Sequence, residues 1–594
     1  MKLSTGEQYV HSGRDLHSVI ELFIRQAAAT PSAIAVVDSA EKLTYGELAR
    51  ESRALAVLLR ERDVRRGDLV AVWTDRPLNL LVALLGVIRA GAAYVPLDPD
   101  APAARRDLVL RQSQAKVIIS DADVEQARKE ATEDGFTEVL ERPVQLDDTI
   151  YALFTSGSTG IPKGVVLEHR GISNVLTWMA REYCFTERDR VLQKTPSTFD
   201  ASVWELFLPL IVGGSVVMAE RGGHRDPQYL VDTVRTHGVT TLQLVPSMLR
   251  HVLDHPDVAK CSSLRHVFCG GEPLPRDLQR RFHDTLPVPL VNLYGPTETS
   301  VQILAWTCSP SDSYASVPIG RPVDDAILHV LDENLAPVPD GTVGELFVGG
   351  PALARGYLGD PQHTARSFLP DPFRADRGRL YRTGDLVRRN SDGVFEYAGR
   401  QDEQVKINGQ RVELGDIEST LRHYPGVEDA AVLAGPADHA STALVAYLRL
   451  GQEPDAATGR PPLDLADLRR HLAERLPSHM IPQQFRVTAV FPHSAHGKLD
   501  KSALAKGVST LLTGRSPQPG TGRAAGESEL ERRLTEIWQR TLSQEVGLHD
   551  DFFELGGTSM AGLVMIAQAR EQGIVITPKE LFRLRTVAAI AAAR

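Results

Sequence analysis

The sequence predicts a layered α/β fold followed by a small helical bundle. Short apolar runs of strand length alternate with stretches whose apolar residues recur at helical spacing. This alternation is typical of a largely parallel sheet covered by helices. A segment rich in Gly and Pro, residues 506–526, then precedes a C-terminal stretch in which only helical periodicity continues. We therefore expect a large α/β body joined by a tether to a small helical domain.

The predicted elements follow one another at short intervals. In chain order they are a helix near Val19 and Phe23, a strand at 33–37, a helix at 45–59, a strand at 69–72, a helix at 78–89, a strand at 92–97, and further alternation through 117–119 and 206–217. Residues 121–148 are charged and weakly patterned, so we expect a surface excursion there. In the C-terminal stretch Ser528 and Glu531 form a predicted capping box, and an apolar face that includes Trp538 follows it.

Composition narrows the class of protein. A chain of 594 residues is long enough for three or more domains. Hydrophobic content of 42% and charged content of 24% are ordinary for a soluble globular protein. A net charge of −10 argues against a broad nucleic-acid surface. The four cysteines contain no CxxC pair, which argues against a zinc site or a disulfide framework and favours a reducing compartment.

Targeting signals are weak in this sequence. The first 15 residues are polar and lack the apolar core of a signal peptide. The longest apolar run, Leu80 to Ile88, is far shorter than the roughly 20 residues needed to span a bilayer. We therefore expect a cytoplasmic protein with neither a membrane nor a nucleic acid as partner.

A polar loop follows the apolar run 151–154. It offers three glycines for close backbone approach, four hydroxyl groups and one cation, which are the groups that bind a polyphosphate. Its residues are Thr155, Ser156, Gly157, Ser158, Thr159, Gly160, Lys163 and Gly164. A flexible polar linker is the alternative interpretation, but the preceding strand and the lysine at the loop's exit favour phosphate binding.

Ser559 stands at a predicted helix start, directly after a Gly-Gly-Thr turn. A serine in such a place is most often an N-cap. The segment around it, Asp551 to Met560, favours a different role. This segment is one of a series of motifs along the chain. The others are LTYGEL at 43–48, RAGAAYVPLD at 89–98, FDAS at 199–202, NLYGPTE at 292–298, GEL at 344–346, LARGYL at 353–358, YRTGDL at 381–386, GRQDEQVKI at 399–407, RVELGDIE at 411–418, LPSHM at 476–480 and HGKLD at 496–500.

In order and spacing, these motifs resemble the adenylation domain of nonribosomal peptide synthetases over about 15–505. The segment around Ser559 resembles a peptidyl carrier domain. The resemblance implies a large N-terminal subdomain at 1–401, layered α/β with a small β-barrel part. It also implies a small α+β subdomain at 402–505 on a hinge at Asp402, a linker at 506–526, and a four-helix carrier at 527–594.

The activity implied by this resemblance is ATP-dependent activation of an amino acid as aminoacyl-AMP, with release of pyrophosphate. The aminoacyl group then passes to the thiol of 4′-phosphopantetheine on Ser559, for the biosynthesis of a nonribosomal peptide or related natural product. The implied cofactors are ATP, Mg²⁺ and covalent 4′-phosphopantetheine. Such chemistry depends mostly on positioning and electrostatic stabilisation, because a carboxylate becomes a good acyl donor only once AMP is the leaving group.

The resemblance also implies roles for individual residues. The 155–164 loop would contact the departing phosphates, while Tyr294 would stack on adenine and Thr297 would touch the α-phosphate. Glu298 would help hold Mg²⁺. Asp385 would accept the ribose hydroxyls, with Arg400 close to the ribose.

Lys498 is the residue that the resemblance places at adenylate formation, where an ammonium can bind the substrate carboxylate and a phosphate oxygen together. The sequence departs from the family at His496, where Asn usually precedes Gly-Lys, so we expect some loosening of that loop. After adenylation the small subdomain would rotate about Asp402, bringing the region of Gly409 and Arg411 to the thiol.

Position by position, the resemblance also predicts the amino-acid pocket. Its lining residues are Asp200, Ala201, Trp204, Gln243, Phe268, Gly270, Leu293, Val301 and Gln302, together with Lys498. Asp200 would pair with the substrate α-ammonium group. Apolar walls, depth left by Gly270, and two neutral amides predict L-glutamine. The alternatives are another neutral polar amino acid, a modified aromatic one, or a Gln243 that bonds backbone and takes no part in selection.

The partners follow from the same resemblance. We expect a phosphopantetheinyl transferase and a downstream condensation domain or carrier-directed tailoring enzyme, and an MbtH-like helper protein is a further candidate. Thr558 stands where the family often has His or Asp.

The chain is either a stand-alone loading unit or one excised from a larger synthetase. The rival hypotheses are an acyl-CoA ligase, against which Asp200 and the fused carrier argue, and a catalytically idle carrier scaffold.

Overall fold

The computed structural model describes most of the chain. The described residues are 16–131, 143–157, 162–374, 378–402, 404–407, 409–436, 442–451, 463–492, 499–507, 510–512, 528–542, 545–553, 555, 557 and 559–594. The chain divides into two units. The first comprises Met1–Ala101, Arg106–Thr155 and Pro162–Gln404, and the second comprises Pro102–Arg105, Ser156–Ile161 and Val405–Arg594.

The larger unit combines helices with three sheets. Its helices are α1 Val19–Ala29, α2 Tyr45–Glu61, α3 Pro77–Arg89, α4 Ala103–Ser113, α5 Asp121–Glu130, α6 His169–Glu182, α7 Ala201–Val212, α8 Pro227–His237, α9 Pro246–Leu253, α10 Arg276–Thr285 and α11 Pro361–Ser367. Several begin at residues whose side chains satisfy the first backbone N–H groups. Ser18 with Glu21 and Thr44 with Glu47 form complete capping boxes at α1 and α2.

The strands of this unit are short. They are β1 Ile34–Val37, β2 Lys42–Thr44, β3 Leu69–Val72, β4 Ala93–Pro96, β5 Val117–Ile119, β6 Thr149–Thr155, β7 Lys163–Glu168, β8 Arg190–Gln193, β9 Ser215–Met218, β10 Thr241–Leu244, β11 His266–Gly270, β12 Leu290–Tyr294, β13 Leu304–Thr307, β14 Arg321–Pro322, β15 Ile327–Leu331, β16 Val343–Gly349, β17 Gly356–Tyr357, β18 Phe368–Pro370, β19 Arg379–Arg389 and β20 Phe395–Arg400.

Two mixed sheets form the layered α/β body. One has the order β14-β13-β12-β11-β10-β8-β9-β1-β2 and the other β17-β7-β6-β4-β3-β5. Most strands pair in parallel, and the antiparallel strands lie at both ends of the first sheet and at one end of the second. The prediction of largely parallel strands is therefore confirmed. The third sheet is antiparallel, with the order β15-β16-β19-β18 and β20 paired to β19.

The sheet order brings the candidate site together. Strands β10, β11 and β12 are parallel neighbours, and Gln243 pairs in register with Phe268, while Gly270 pairs with Leu293. The carboxyl ends of adjacent parallel strands meet at one edge, which is where α/β sheets usually bind ligands. The predicted pocket residues on these three strands therefore lie side by side.

The second unit contains a small α+β part and a helical bundle. Its strands are β21 Val405–Ile407, β22 Gln410–Val412, β23 Val427–Pro436, β24 Thr442–Leu450, β25 Gln484–Val487 and β26 Thr510–Leu511. Its helices are α12 Leu414–Arg422, α13 Leu465–Ala473, α14 Lys501–Lys506, α15 Glu529–Leu542, α16 Ser559–Glu571, α17 Pro578–Leu584 and α18 Val587–Ala592.

The last four helices form the carrier bundle that the sequence predicts. Ser528 and Glu531 exchange the hydrogen bonds of a capping box ahead of α15. Trp538 is fully buried and meets the ring of Phe552 edge-on, with 4.8 Å between the ring centroids. Both belong to one apolar cluster with residues of all four helices, which confirms Trp538 as a core residue.

One local expectation is wrong. The region predicted as a surface excursion at 121–148 begins with helix α5, which starts behind Ser120 and buries Val124 and Ala127. Only two buried apolar residues support this helix, so its periodicity is too weak to detect in the sequence. In the described part of the chain, every helix is too short or too polar to span a lipid bilayer.

Candidate functional site

A buried carboxylate, Asp385, joins two strands of the antiparallel sheet to the end of β12. The Tyr294 hydroxyl donates a hydrogen bond to Asp385 Oδ2, and Arg400 Nη1 donates to Asp385 Oδ1 at 2.6 Å. The backbone N–H of Asp385 donates to the Thr383 hydroxyl at 3.0 Å. Tyr294 and Arg400 lie 91 and 15 positions from Asp385 along the chain, and the fold brings the three residues into one cluster.

The Tyr294 phenol is the member of this cluster whose acidity its surroundings change. Burial, followed by the nearby Asp385 carboxylate, raises the pKa of Tyr294 well above its usual value, so the phenol stays protonated and remains a donor. A carboxylate has about four lone-pair positions. Asp385 therefore keeps capacity to accept further hydroxyl donors from a ligand while Tyr294 and Arg400 fix its orientation.

Arg400 extends the cluster to the predicted hinge residue. Its Nε donates to Asp402 Oδ1 at 2.6 Å and its Nη2 donates to Asp402 Oδ2 at 2.8 Å, which is a bidentate pair. Asp402 itself is half exposed. The guanidinium is therefore shared between a buried carboxylate and an exposed one.

The turn after β12 places a second buried carboxylate close by in sequence. Residues Thr297–Thr299 form a single 3₁₀ turn, in which Thr297 is half-buried and Glu298 is only 1% exposed. Glu298 Oε1 accepts a hydrogen bond of 2.8 Å from the Tyr357 hydroxyl. The turn is thereby attached to β17.

Backbone strain follows this turn. Ser300 and Val301 both adopt positive φ angles, 58° and 76°, which are unusual for a residue with a side chain and most unusual for a β-branched one. Gly295 faces this strained pair: a Cβ there would lie 2.4 Å from the Val301 carbonyl oxygen and 2.6 Å from Gln302 Cα. Strain of this kind persists where the surrounding structure enforces it, often at functional sites.

The predicted phosphate loop joins two paired strands. Thr155 ends β6 and Lys163 begins β7, and the two residues are register partners. Within the second unit, the Ser156 hydroxyl donates to the Arg411 carbonyl oxygen at 2.8 Å and accepts from the Glu413 N–H at 3.2 Å. Gly157 is buried, whereas Ser158, Thr159 and Gly160 lie outside the described residues, as does Lys498.

An aromatic wall lines one side of the predicted amino-acid pocket. Trp204 and Phe268 pack edge-on with 5.2 Å between ring centroids, and Tyr183 packs against Phe268 at 5.0 Å. The Trp204 indole N–H donates to Gln243 Oε1. Since an indole nitrogen can only donate, it fixes the amide of Gln243 with its oxygen toward Trp204. The Gln243 oxygen therefore bonds a side chain, and the part of Gln243 in substrate selection stays a prediction.

Gln302 is the most unusual polar residue of the pocket. It is 2% exposed, and its amide nitrogen donates to the Met179 sulfur, a weak acceptor. Its amide oxygen has no hydrogen-bond partner among the described residues. An unpaired buried polar atom costs about 1–3 kcal/mol, so the Gln302 oxygen is a candidate acceptor for a hydrogen bond from a ligand or a bound water.

Asp200 lies at the start of α7 and Ala201 is the first helical residue. After burial and Tyr94, the Asp200 carboxylate is a further cause that raises the pKa of the Tyr151 phenol. The Tyr151 hydroxyl is buried without a hydrogen-bond partner among the described residues. A carboxylate next to buried aromatic groups suits an ammonium ligand, which would otherwise be poorly solvated there.

Gly270 permits close approach of two strands. A Cβ at this position would lie 2.9 Å from the Leu293 carbonyl oxygen, so the glycine allows the close pairing of β11 with β12. Leu293 and Val301 are buried. The depth that Gly270 leaves in the pocket stays a prediction.

Residues 23–358 match the family model described as AMP-binding enzyme. The chain belongs to the AMP-binding enzyme family. Residues 416–498 match the AMP-binding enzyme C-terminal domain, and residues 532–593 match the phosphopantetheine attachment site. The chain thus has the adenylation and carrier organisation of nonribosomal peptide synthetases.

Relatives of this AMP-binding enzyme are larger proteins. Phosphinothricin tripeptide synthetase PhsB of Streptomyces viridochromogenes is 41% identical over 94% of this chain, which spans 47% of that protein. Tyrocidine synthase 3 of Brevibacillus parabrevis is 39% identical over 97% of this chain, which spans 9% of it. The chain therefore spans less than half the length of these curated relatives.

A solved structure supports the same organisation. It is described as an NRPS protein containing adenylation and PCP domains, in its holo form with a vinylsulfonamide inhibitor. It aligns with a TM-score of 0.78 over 97% of this chain and 96% of the other, at 26% identity. The large α/β body, the small α+β part and the helical bundle of this AMP-binding enzyme are all covered.

The residues present fit the cofactors of such an enzyme. Glu298 offers a buried carboxylate oxygen, and the described residues contain no group of three or more metal-ligating side chains. That donor set suits Mg²⁺, which is usually held by one or two carboxylates together with substrate phosphates and water. Asp385 suits a ribose, because it accepts hydroxyl donors.

The carrier end of this AMP-binding enzyme fits a phosphopantetheine arm. Ser559 is the first residue of α16. The turn before it is packed on the core: the Gly557 N–H donates to the Phe552 carbonyl oxygen at 2.8 Å, and a Cβ at Gly557 would lie 2.2 Å from the Phe552 ring. The glycine therefore fixes the turn that precedes the modifiable serine.

Sequence reasoning missed four residues that contact the site: Tyr357, Met179, Tyr183 and His363. Tyr357 belongs to a motif noted in the sequence, and its phenol was a detectable signal for a hydrogen bond. The other three contact the site only through tertiary packing, and no pattern in the sequence of this AMP-binding enzyme marks them.

Replacement of Gly295 by Ala is expected to lower the free energy of unfolding by about 1–3 kcal/mol, because the new methyl group must displace the strained backbone at Val301. Urea unfolding followed by tryptophan fluorescence measures this change. The control is Gly435→Ala, where a Cβ meets no atom within 4 Å. Equal midpoints for both variants would contradict the strained-turn interpretation.

Proposed function

We propose that this AMP-binding enzyme uses ATP to activate an amino acid as aminoacyl-AMP and then transfers the aminoacyl group to a phosphopantetheine thiol on Ser559. The observation that carries the proposal is the buried Asp385 carboxylate, fixed by Tyr294 and Arg400. It is a ready acceptor for ribose hydroxyls, and Tyr294 ends the strand that also bears the pocket residue Leu293. A carrier in the same chain supplies the acceptor.

The proposed roles follow the resemblance to the adenylation domain of nonribosomal peptide synthetases. Tyr294 stacks on adenine while its hydroxyl holds Asp385, which binds the ribose with the help of Arg400. Thr297 contacts the α-phosphate, and Glu298 holds Mg²⁺, which neutralises phosphate charge when bound. The loop from Thr155 to Lys163, with Ser156, Gly157, Ser158, Thr159 and Gly160 between them, contacts the departing pyrophosphate.

In the first half-reaction, a carboxylate oxygen of the amino acid bonds to the α-phosphorus, and the bond from that phosphorus to the pyrophosphate oxygen breaks. Lys498 is proposed to bind both reacting oxygens, so that its positive charge stabilises negative charge that accumulates in the transition state. Asp200 binds the α-ammonium group. Both contacts fix the carboxylate for in-line attack.

In the second half-reaction, the prosthetic arm supplies a thiol that loses its proton to solvent, and its sulfur bonds to the acyl carbon while the bond from that carbon to the AMP oxygen breaks. Ser559 anchors the arm, and the Gly557 turn fixes the start of α16. The proposed domains are the large subdomain at 1–401, the small subdomain at 402–505, the linker at 506–526 and the carrier at 527–594. Asp402 is proposed as the hinge between the two catalytic subdomains. The Gly409 and Arg411 region then serves the thiol step.

L-glutamine is the proposed substrate. The Gln302 oxygen needs a donor, and a primary amide provides two N–H groups. Because Trp204 holds the Gln243 oxygen, the Gln243 N–H groups are the part that can donate to the substrate's amide oxygen. A charged side chain would stay unpaired between two neutral amides. Another neutral polar amino acid with a donor group, or a modified aromatic one against Phe268, remains the alternative.

The proposed partners follow from a loaded carrier. A phosphopantetheinyl transferase modifies Ser559, and a condensation domain or a tailoring enzyme acting on the carrier-bound amino acid consumes the product. An MbtH-like helper protein is a further proposed partner. A cytoplasmic location is proposed because the four cysteines contain no CxxC pair, which favours a reducing compartment.

Two substitutions separate the half-reactions. Lys498→Ala is expected to depress amino-acid-dependent ATP–pyrophosphate exchange by several orders of magnitude, because the charge that bridges the reacting oxygens is lost. Ser559→Ala is expected to leave exchange unchanged while abolishing covalent loading. Exchange of radiolabelled pyrophosphate and protein-bound radiolabelled amino acid report the two steps.

Three outcomes would contradict this account. If no amino acid stimulates ATP–pyrophosphate exchange in the wild-type enzyme, amino acid activation is refuted. The rival hypotheses, an acyl-CoA ligase or an idle carrier scaffold, would then be favoured. Full exchange in Lys498→Ala would refute its catalytic role. Aminoacylation of the Ser559→Ala variant would refute the carrier site.

The glutamine assignment has its own test. Gln302→Met keeps the size of the side chain but removes the orphaned oxygen, so KM for glutamine in the exchange assay is expected to rise about tenfold while KM for ATP is unchanged. The matched control is Gln126→Met on the exposed face of α5. An equal KM for glutamine in both variants, or strong exchange with a charged amino acid, would refute the assignment.

A further inference from the structure

Lys163 of the predicted phosphate loop contacts two other side chains of the larger unit, His363 and Tyr357. Its ammonium nitrogen lies 3.4 Å from His363 Nε2 and 5.9 Å from the centre of the Tyr357 ring. The His363 ring meets Tyr357 edge-on, with 4.7 Å between centroids. The three residues come from β7, α11 and β17 and form a small cage around one cation.

This cage continues to the buried carboxylate of the adjacent turn. The Tyr357 hydroxyl donates to Glu298 Oε1 at 2.8 Å. The resulting chain of contacts, Lys163–His363–Tyr357–Glu298, joins the group proposed to contact pyrophosphate with the group proposed to hold Mg²⁺. No motif found in the sequence includes His363.

Hydrogen-bond chemistry fixes the direction of the first contact. An ammonium group has three donors and no acceptor, so His363 Nε2 has to accept from Lys163. The imidazole is then neutral, with its proton on Nδ1. Nδ1 lies 4.0 Å from Asp360 Oδ2, and the His363 backbone N–H donates to Asp360 Oδ1 at 2.9 Å. Asp360 therefore supports the orientation of both the backbone and the ring.

We propose that His363 is a positioning residue that holds the Lys163 ammonium for the β- and γ-phosphates of ATP. The proposal rests on the proposed function, because it assumes that Lys163 faces a polyphosphate. A lysine side chain has a long flexible stem, and ordering it only upon binding would lower affinity. An acceptor from α11 and an aromatic face from β17 order the stem before ATP arrives.

The test is equilibrium binding of Mg²⁺·ATP and of AMP to the full chain, measured by calorimetry without amino acid. His363→Phe keeps an aromatic edge against Tyr357 but removes the acceptor. It is expected to weaken ATP binding about tenfold and AMP binding less than about twofold, since AMP lacks the phosphates that Lys163 contacts. His363→Gln retains a side-chain acceptor and is expected to restore ATP affinity to within about threefold of the original value.

A double substitution shows whether His363 acts through Lys163. Lys163→Met should weaken ATP binding on its own, and adding His363→Phe to it should cause no further loss, because residues that act through one contact are non-additive. Fully additive losses would overturn the proposal. Parallel losses of ATP and AMP affinity, which indicate a packing role alone, or unchanged ATP affinity in His363→Phe, would also overturn it.

These results are separable from those that test the enzyme's reaction. A protein that binds ATP and AMP but shows no amino-acid-dependent exchange would refute the proposed function, while the ratio of ATP to AMP affinity would still decide the role of His363. A protein that binds neither nucleotide would overturn both proposals.

Discussion

The carboxylate of Asp385 is the interaction on which the nucleotide side of the site depends. It is buried, so it requires strong donors, and it receives one from Tyr294 and one from Arg400. Tyr294 comes from the nine-stranded mixed sheet and Arg400 from the antiparallel sheet. Removing either would leave a buried charge with one partner fewer, which is costly. The same pairing that stabilises the junction of the two sheets therefore orients the group proposed to bind ribose.

We propose that polar groups that are not fully satisfied carry the specificity of the site. The Gln302 amide oxygen is buried without a hydrogen-bond partner among the described residues, while the amide nitrogen donates to the Met179 sulfur. The strained residues Ser300 and Val301 directly precede Gln302, and Gly295 permits their close approach. A ligand that donates a hydrogen bond to the Gln302 oxygen would satisfy this acceptor.

Much of the fold could be predicted from the sequence because the relevant signals are local. The parallel core follows from strand and helix alternation, and the capping box at Ser528 and the buried Trp538 follow from helical spacing. Helix α5 was missed because its apolar face is only Val124 and Ala127. Contacts such as Trp204 with Gln243, Met179 with Gln302, and Lys163 with His363 join residues 39, 123 and 200 positions apart, and no local pattern predicts which side chains meet. The close pairing at Gly270 could not be predicted for a related reason, since only strand register shows what its missing Cβ would touch.

The most direct test of the central claim is the intact mass of the full chain after treatment with a phosphopantetheinyl transferase and coenzyme A, and then with ATP, Mg²⁺ and single amino acids. The account predicts one added phosphopantetheine and then one added aminoacyl group, with glutamine as the preferred amino acid and no aminoacyl addition when ATP is omitted. A chain that gains the arm but never an aminoacyl group, whichever amino acid is supplied, would contradict it.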